Sequence, residues 1–103
     1  MRLPLTVPAC VMGLATGALA GAAGVTITDL AFNPATITIK AGDSVTWTNH
    51  DFVDHTATDA KGGWDIDLPA GKSASVTFNV PGTFPYICKV HPNMTGTINV
   101  QPK

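Results

Sequence analysis

Residues 36–49 have the sequence TITIKAGDSVTWTN, in which apolar and polar side chains alternate on both sides of an Ala-Gly-Asp turn. Ile37 and Ile39 share one face of the first run, and Val45 and Trp47 share one face of the second. A period of two is typical of half-buried β-strands. We therefore predict two consecutive strands around a tight turn.

The same alternation recurs along most of the chain. Residues 50–69 are the exception: they hold five Asp residues and a Gly-Gly pair, so we expect loops and short strands there. The near absence of Leu, Glu and Arg after residue 24 also favours strands over helices. Six to eight short strands with turn signals predict an all-β antiparallel sandwich or barrel without helices. The other strand-like runs are residues 25–28, 73–80, 83–88 and 95–100.

The length and charge of the chain limit the classes of function. A chain of 103 residues corresponds to one domain. Beyond residue 24 it carries five Lys, seven Asp and no Glu, a formal charge of −2 with His neutral. Nucleic-acid binding needs a strongly basic surface, so we expect no nucleic-acid partner.

The N-terminal segment has the pattern of a secretory signal peptide. Arg2 is followed by an uncharged run rich in Ala, Leu, Val and Gly, which ends in small residues suited to cleavage after Ala20 or Ala23. We predict a signal peptide over residues 1–23 and a single domain over residues 24–103. The mature protein is then expected in the periplasm or otherwise exported, without stable membrane insertion.

Two other interpretations of this segment are weaker. Residues 7–10 faintly resemble a lipoprotein cleavage box, but few apolar residues precede them. Gly13, Gly17 and Gly21 are spaced like the packing face of a retained membrane helix. Strand-like sequence begins at Val25, however, which would press an anchored domain against the bilayer. Cleavage is therefore the preferred interpretation.

The strongest chemical signal lies in residues 86–94, YICKVHPNM, where Cys88, His91 and Met94 follow a C-x2-H-x2-M spacing. A trigonal His2Cys set with a weak axial Met is the ligand set of mononuclear blue-copper sites. One short turn after a strand can direct these three side chains at one point. Since Cys10 lies in the predicted leader, Cys88 is the only cysteine of the mature domain.

The second histidine of such a site must come from a distant segment, because the turn has no other imidazole. His50 and His55 are the only other histidines. His55 lies a few residues beyond the predicted strand 44–49, where a sandwich can bring it beside Cys88. His50 adjoins the strand end, and we expect it to point to solvent. His55 is therefore the predicted ligand.

Each of these residues also has a purely structural interpretation. Cys88 alone is more often a small buried hydrophobe, Met94 a core filler and His91 a solvated loop residue. Because all three occur within seven residues, a metal site is the better explanation, and the soft sulfur donors favour one mononuclear copper. Trp47 and Phe78 are expected in the core, and the Asp cluster on a solvated face.

The motif Tyr86-x-Cys88-x-x-His91-Pro92-x-Met94 resembles the cupredoxins, and the short loop is most similar to the amicyanin and pseudoazurin side of that family. Residues 37–49 also resemble the strand–turn–strand that precedes the first ligand in plastocyanin-like domains. The resemblance covers residues 25–103. It implies a Greek-key β-sandwich of about seven to eight strands with copper ligands at His55, Cys88, His91 and Met94.

This sequence departs from the family pattern beside the first ligand. Asp54 and Thr56 occupy places where the family commonly has Pro and Asn, and that Asn ties the two ligand loops together. Thr56 can still form a hydrogen bond, whereas Asp54 brings a charge near the metal. Val90 replaces the Pro of amicyanins. Such neighbours tune the reduction potential of a copper site.

These observations predict a monomeric type 1 copper electron carrier that cycles Cu(II)/Cu(I) with transient redox partners. The alternative is a periplasmic copper-binding or delivery protein of the same fold, which a single mature Met disfavours. We expect no enzymatic activity, because the His-x-His pairs of copper oxidases are absent from the sequence. A non-metal alternative is a structural sandwich with a free thiol, which would not respond to copper.

Overall fold

The computed structural model describes residues 21–103, which form nine β-strands and no helix. Residues 1–20 of the predicted signal peptide lie outside these residues. The all-β prediction is confirmed, and the region 50–69 contains two short strands, as expected for that segment. The strands are β1 (Ala22–Thr28), β2 (Ala31–Asn33), β3 (Thr36–Lys40), β4 (Ser44–Asn49), β5 (His55–Asp59), β6 (Asp65–Leu68), β7 (Ser73–Thr77), β8 (Gly82–Ile87) and β9 (Thr95–Gln101).

The strands form two sheets, with the order β2-β1-β4-β7 in one and β3-β9-β8-β5-β6 in the other. β1 pairs with β4 and β3 pairs with β9 in parallel, while the remaining pairs are antiparallel. The expectation of a wholly antiparallel arrangement is therefore wrong for these two pairs. The sandwich itself is confirmed.

The turn between β3 and β4 does not close a hairpin, because it carries the chain from one sheet to the other. Gly42 adopts φ 99°, a conformation that favours glycine. The Asp43 carboxylate accepts hydrogen bonds from the N–H of Lys40 at 2.9 Å and of Gly21 at 2.7 Å. These two bonds hold the pKa of Asp43 below its usual value. The crossing lets Ile39 of one sheet and Trp47 of the other bury in the same core.

Aromatic side chains fill the centre of the core. Trp47 and Tyr86 are fully buried, with ring centroids 5.5 Å apart in a T-shaped arrangement. The Trp47 Nε1–H donates to the Tyr86 hydroxyl at 3.1 Å, so both polar groups are satisfied. Burial raises the pKa of Tyr86 to about 12. Phe78 is also buried, as predicted, and Trp64 packs against all three rings.

The pairing of β8 with β9 leaves room for this tyrosine only because residue 96 is glycine. Gly96 lies opposite Tyr86, and a Cβ added there would come within 2.6 Å of the ring atom Cε1. Such overlap has to be relieved by movement of the ring or the strand. Because β8 leads directly into Cys88, the position of Tyr86 also fixes the start of the predicted ligand loop.

Three connections lie at the end of the sandwich where β1, β4 and β8 finish. They are the β1–β2 turn, the β4–β5 loop and the β8–β9 loop. The N–H of His50 donates to the carbonyl of Ile27 at 2.9 Å, which joins the β4–β5 loop to the end of β1. Within residues 21–103 no helix has the length and hydropathy needed to cross a bilayer.

We expect Gly96→Ala to lower the free energy of unfolding by at least about 2 kcal/mol, because the new methyl group overlaps the Tyr86 ring. Gly24→Ala is the matched control: Gly24 also lies within a strand, and a Cβ there meets no atom within 4 Å. Urea unfolding of both variants measures the difference. Equal stability of the two variants would contradict this account of Gly96.

Candidate metal centre

His55, Cys88 and His91 meet at this end of the sandwich. One ligand-type atom from each of them lies within 4.8 Å of the other two. His55 begins β5, Cys88 follows the last residue of β8, and His91 lies in the β8–β9 loop. The structure therefore brings together a histidine and a cysteine that are 33 residues apart in sequence.

The ring nitrogen Nδ1 of His55 faces the thiol, at 3.7 Å from Cys88 Sγ. The ring centroids of His55 and His91 are 5.0 Å apart and tilted by 59°. His55 and Cys88 are almost completely buried, whereas His91 is half-buried. Two of the predicted ligands are therefore enclosed by protein, and the third lies at the edge of the cluster.

Residues 88–94 form a tight loop closed by its own backbone. The N–H of Cys88 donates to the carbonyl of Met94 at 3.1 Å, and the N–H of Met94 donates to the carbonyl of His91 at 2.8 Å. Met94 is buried at 4 % exposure. These bonds explain why the C-x2-H-x2-M spacing gives a compact loop. The axial role of Met94 stays a prediction, whereas the grouping of the other three side chains is observed.

Thr56 connects the two segments that carry these side chains. Its backbone N–H donates to Cys88 Sγ at 3.3 Å, and its hydroxyl oxygen accepts the N–H of Lys89 at 2.9 Å. The first bond stabilises negative charge on sulfur. The second performs the tie expected of the Asn that the family has at this place. The predicted capacity of Thr56 to form this link is confirmed.

The Lys89 side chain is engaged with a neighbouring strand. Its ammonium pairs with the Asp65 carboxylate of β6 at 2.6 Å, and Thr58 donates to the same carboxylate at 2.7 Å. The Lys89 ammonium, followed by the Thr58 hydroxyl, holds the pKa of Asp65 below its usual value, and Asp65 raises the pKa of Lys89. Both side chains are about half exposed, so the pair contributes little to stability.

Asp51 is the residue of this site that the sequence interpretation missed. Its carboxylate lies 2.9 Å from Nε2 of His55, on the opposite side of the ring from the thiol. Burial raises the pKa of Asp51, but hydrogen bonds from the Leu30 N–H, the His55 ring and the Asp29 N–H outweigh it and lower the pKa. Assigning all the Asp residues to a solvated face was wrong here. Its position four residues before His55 was the feature of the sequence from which this contact could have been predicted.

Asn49 shapes the loop that carries Asp51. It is fully buried, and its Nδ2 donates to the carbonyls of Val53 at 2.9 Å and Leu68 at 2.8 Å. Its Oδ1 accepts the N–H of Asp51 at 2.8 Å. With three hydrogen bonds the buried amide is well satisfied. These bonds hold the loop of residues 50–54, which leads into His55.

The other two residues considered at this site lie apart from the cluster. His50 is exposed, as expected, and is not part of the group. Asp54 is exposed, and its carboxylate accepts the N–H of Ala70 at 3.1 Å. Asp54 thus braces the turn before β7, although it directly precedes His55 in the chain.

The donor set fits copper. Thiolate and thioether sulfur are soft donors that suit Cu(I), and imidazole suits both oxidation states of copper. His91 Nδ1 is buried and has no hydrogen-bond partner among the described residues. A buried polar atom without a partner is costly, and a metal ion would supply the missing interaction.

The sequence profile of the cupredoxin-like domain family matches residues 7–100. The chain belongs to the cupredoxins. Amicyanin-alpha of Methylorubrum extorquens is 38% identical over an alignment of 101 positions, and the alignment covers 85% of each protein. Plastocyanin of Scenedesmus fuscus is 35% identical over 86 residues, covering 70% of this chain and 88% of the relative.

Solved structures give the same assignment for this cupredoxin. The crystal structure of amicyanin from Paracoccus versutus superimposes with a TM-score of 0.69 at 29% identity, over 78% of this chain and 81% of the other. The predicted resemblance to cupredoxins is therefore confirmed for both sequence and fold.

Proposed function

We propose that this cupredoxin is a small exported electron carrier that holds one type 1 copper and cycles it between Cu(II) and Cu(I). The convergence of His55, Cys88 and His91 within 4.8 Å carries the proposal. The amicyanin and plastocyanin relatives support it. When bound, the copper supplies the one-electron redox couple.

The residues have distinct roles in this proposal. His55 through Nδ1, Cys88 through Sγ and His91 through Nδ1 would hold the copper, and Met94 would supply the fourth, weaker ligand. The β5–β8 pairing and Thr56 hold the first two in place before metal arrives. A site fixed by two strands and a closed loop changes little between oxidation states, which favours rapid electron transfer.

Electrons are proposed to pass at the apolar end, defined as the exposed side chains of Leu30, Phe52, Val53 and Val90. Phe52 is 99 % exposed and Val90 is 55 % exposed, and Leu30 and Val90 line a shallow cavity with His91. An apolar surface around a half-buried ligand suits brief docking with redox partners, for which small interfaces are sufficient. No stable partner is needed, and we propose a monomer.

Copper delivery is the second candidate, and two observations disfavour it. Delivery requires ligands that a partner can reach, whereas His55 and Cys88 are at most 1 % exposed. The chain beyond residue 24 also contains one methionine, Met94, rather than a Met-rich surface. We propose no enzymatic activity, since the sequence lacks His-x-His pairs and a second cysteine in the ligand loop.

We also propose that residues up to Ala20 are a secretory signal and that Gly21 begins the mature protein. β1 begins at Ala22, and Ala22 and Ala23 pair with Ser44 and Val45 of β4. The boundary at residue 23 falls within this strand, so cleavage there would remove its first two residues. Cleavage after Ala20 keeps β1 whole.

The intact mass of the protein exported from a bacterial host tests this. We expect the mass of a chain that begins at Gly21. A chain beginning at Gly24 would be lighter by one Gly and two Ala and would contradict the preference for Ala20. A chain that keeps residues 1–20 would contradict the signal itself.

The first test of the function is a Cu(II) titration followed by visible absorption. We expect the parent protein to develop an intense blue or green thiolate-to-copper band and Cys88→Ser to develop none. His55→Ala should lose the band, whereas His50→Ala should keep it because His50 is exposed and outside the cluster. A colourless parent protein would end the proposal, and a band retained in Cys88→Ser would remove the thiolate assignment.

The role of the apolar end is tested by electron self-exchange between oxidised and reduced copies, which needs no identified partner. Val90→Ala should slow self-exchange several-fold, because two copies must approach through this surface. Val80→Ala is the matched control, since Val80 is 67 % exposed but lies in the β7–β8 connection. NMR line broadening gives the rates, and unchanged absorption confirms an intact copper site. Equal slowing by both substitutions would argue against this docking surface.

A further inference from the structure

The Asp51 carboxylate contacts two separate parts of the protein. Its Oδ1 accepts the N–H of Asp29 at 2.8 Å, and its Oδ2 accepts the N–H of Leu30 at 3.0 Å. The same Oδ2 lies 2.9 Å from Nε2 of His55. One side chain therefore joins the β1–β2 turn to a proposed copper ligand.

The β1–β2 turn is strained and depends on this support. Thr28 pairs with Ala31, so Asp29 and Leu30 form a two-residue hairpin turn. Both have positive φ, 52° and 60°, a conformation that costs energy for residues other than Gly, Asn and Asp. Leu30 is unusual there. Because the carboxylate accepts both N–H groups of the turn, it compensates for the strain.

The contact with His55 fixes which ring nitrogen carries a proton. A carboxylate accepts hydrogen bonds, so in the neutral ring Nε2 carries the proton and Nδ1 carries the lone pair. Nδ1 is the atom that faces Cys88 Sγ. A carboxylate on the far nitrogen of a ligating imidazole also raises the donor strength of the ring. Asp51 thus prepares His55 to bind a metal through Nδ1.

We propose that Asp51 is a positioning residue that presents His55 to copper and holds Leu30 in the apolar end, so that one carboxylate supports both the metal site and the docking surface. The copper part of this inference rests on the proposed function. The turn part does not, because the three hydrogen bonds exist in the protein alone. Loss of the carboxylate should therefore alter two properties that are otherwise unrelated.

Asp54 provides a matched control for charge. It directly precedes His55, is exposed, and binds Ala70 instead of the ring. Asp51→Asn and Asp54→Asn each remove one negative charge from the same loop and keep the size of the side chain. Asn at position 51 also brings an N–H2 group toward neighbours that are donors, so at least one hydrogen bond must be lost.

Hydrogen exchange of the copper-free protein tests the turn. In Asp51→Asn we expect the amides of Asp29 and Leu30 to exchange roughly tenfold faster, as for loss of a hydrogen bond to a charged group. In Asp54→Asn both amides should be unchanged. Unchanged exchange at both amides in Asp51→Asn would overturn this half of the proposal.

A second background keeps the test valid if Asp51→Asn alone does not fold. The double substitution Asp29→Asn with Leu30→Gly builds an Asn-Gly turn, which adopts positive φ readily. In this background Asp51→Asn should fold and should lower the urea midpoint less than it does in the parent, where failure to fold counts as loss of the whole transition. An equal loss in both backgrounds would mean that Asp51 does not support the strained turn.

Measurements of copper binding test the second part of the proposal, that Asp51 orients His55 toward the metal. Asp51→Asn should weaken copper affinity about 10- to 100-fold, the usual effect of removing the partner of a ligating histidine. It should also raise the reduction potential more than Asp54→Asn does. Asp51→Glu should restore part of both properties. If both Asn substitutions changed the affinity and the potential equally, the effect of Asp51 would be one of charge alone, and its positioning role would be overturned.

Absence of copper binding in the parent protein would instead refute the proposed function, and the result for the turn would still hold.

Discussion

The two contacts of Thr56 with the ligand loop are the constraint on which the site depends. Its N–H reaches Cys88 Sγ and its hydroxyl accepts the N–H of Lys89, so β5 and the residues after β8 are held at a fixed separation. His55, the neighbour of Thr56 in β5, is thereby brought beside the thiol. The pairing of β5 with β8 brings the two segments together, and this link fixes how His55 and Cys88 meet.

The rigidity of the site comes from the core below it. Tyr86 packs on Trp47, and Gly96 of the paired strand leaves space for the Tyr86 ring. These contacts hold the end of β8 in place. The exposed loops, by contrast, make the site accessible to a partner. Phe52 and Val90 lie at the surface beside the half-buried His91, where a partner can approach. A buried pair of predicted ligands and an exposed edge suit an electron carrier, which needs a site that rearranges little and a short path to solvent.

Much of the fold could be predicted from local patterns. The alternation in residues 36–49 located β3 and β4, and the spacing of Cys88, His91 and Met94 identified the ligand loop. Alternation states which face of a strand is buried but not which strand lies beside it. For this reason the crossing between sheets at Gly42 and the two parallel pairs were not foreseen. Asp51 was missed for a similar reason, since its partners Leu30 and His55 belong to different connections.

The sequence by itself determined the residue types and their local spacing, and with them the cupredoxin family, the strand periodicity and the candidate copper ligands. These features are local because a strand and a short turn are specified by neighbouring residues. Only the tertiary structure decided how the segments meet: that Thr56 links His55 to Cys88, and that Asp51 joins a strained turn to the imidazole. Such contacts depend on the pairing and stacking of distant strands, which set the distances between side chains that the linear order leaves open.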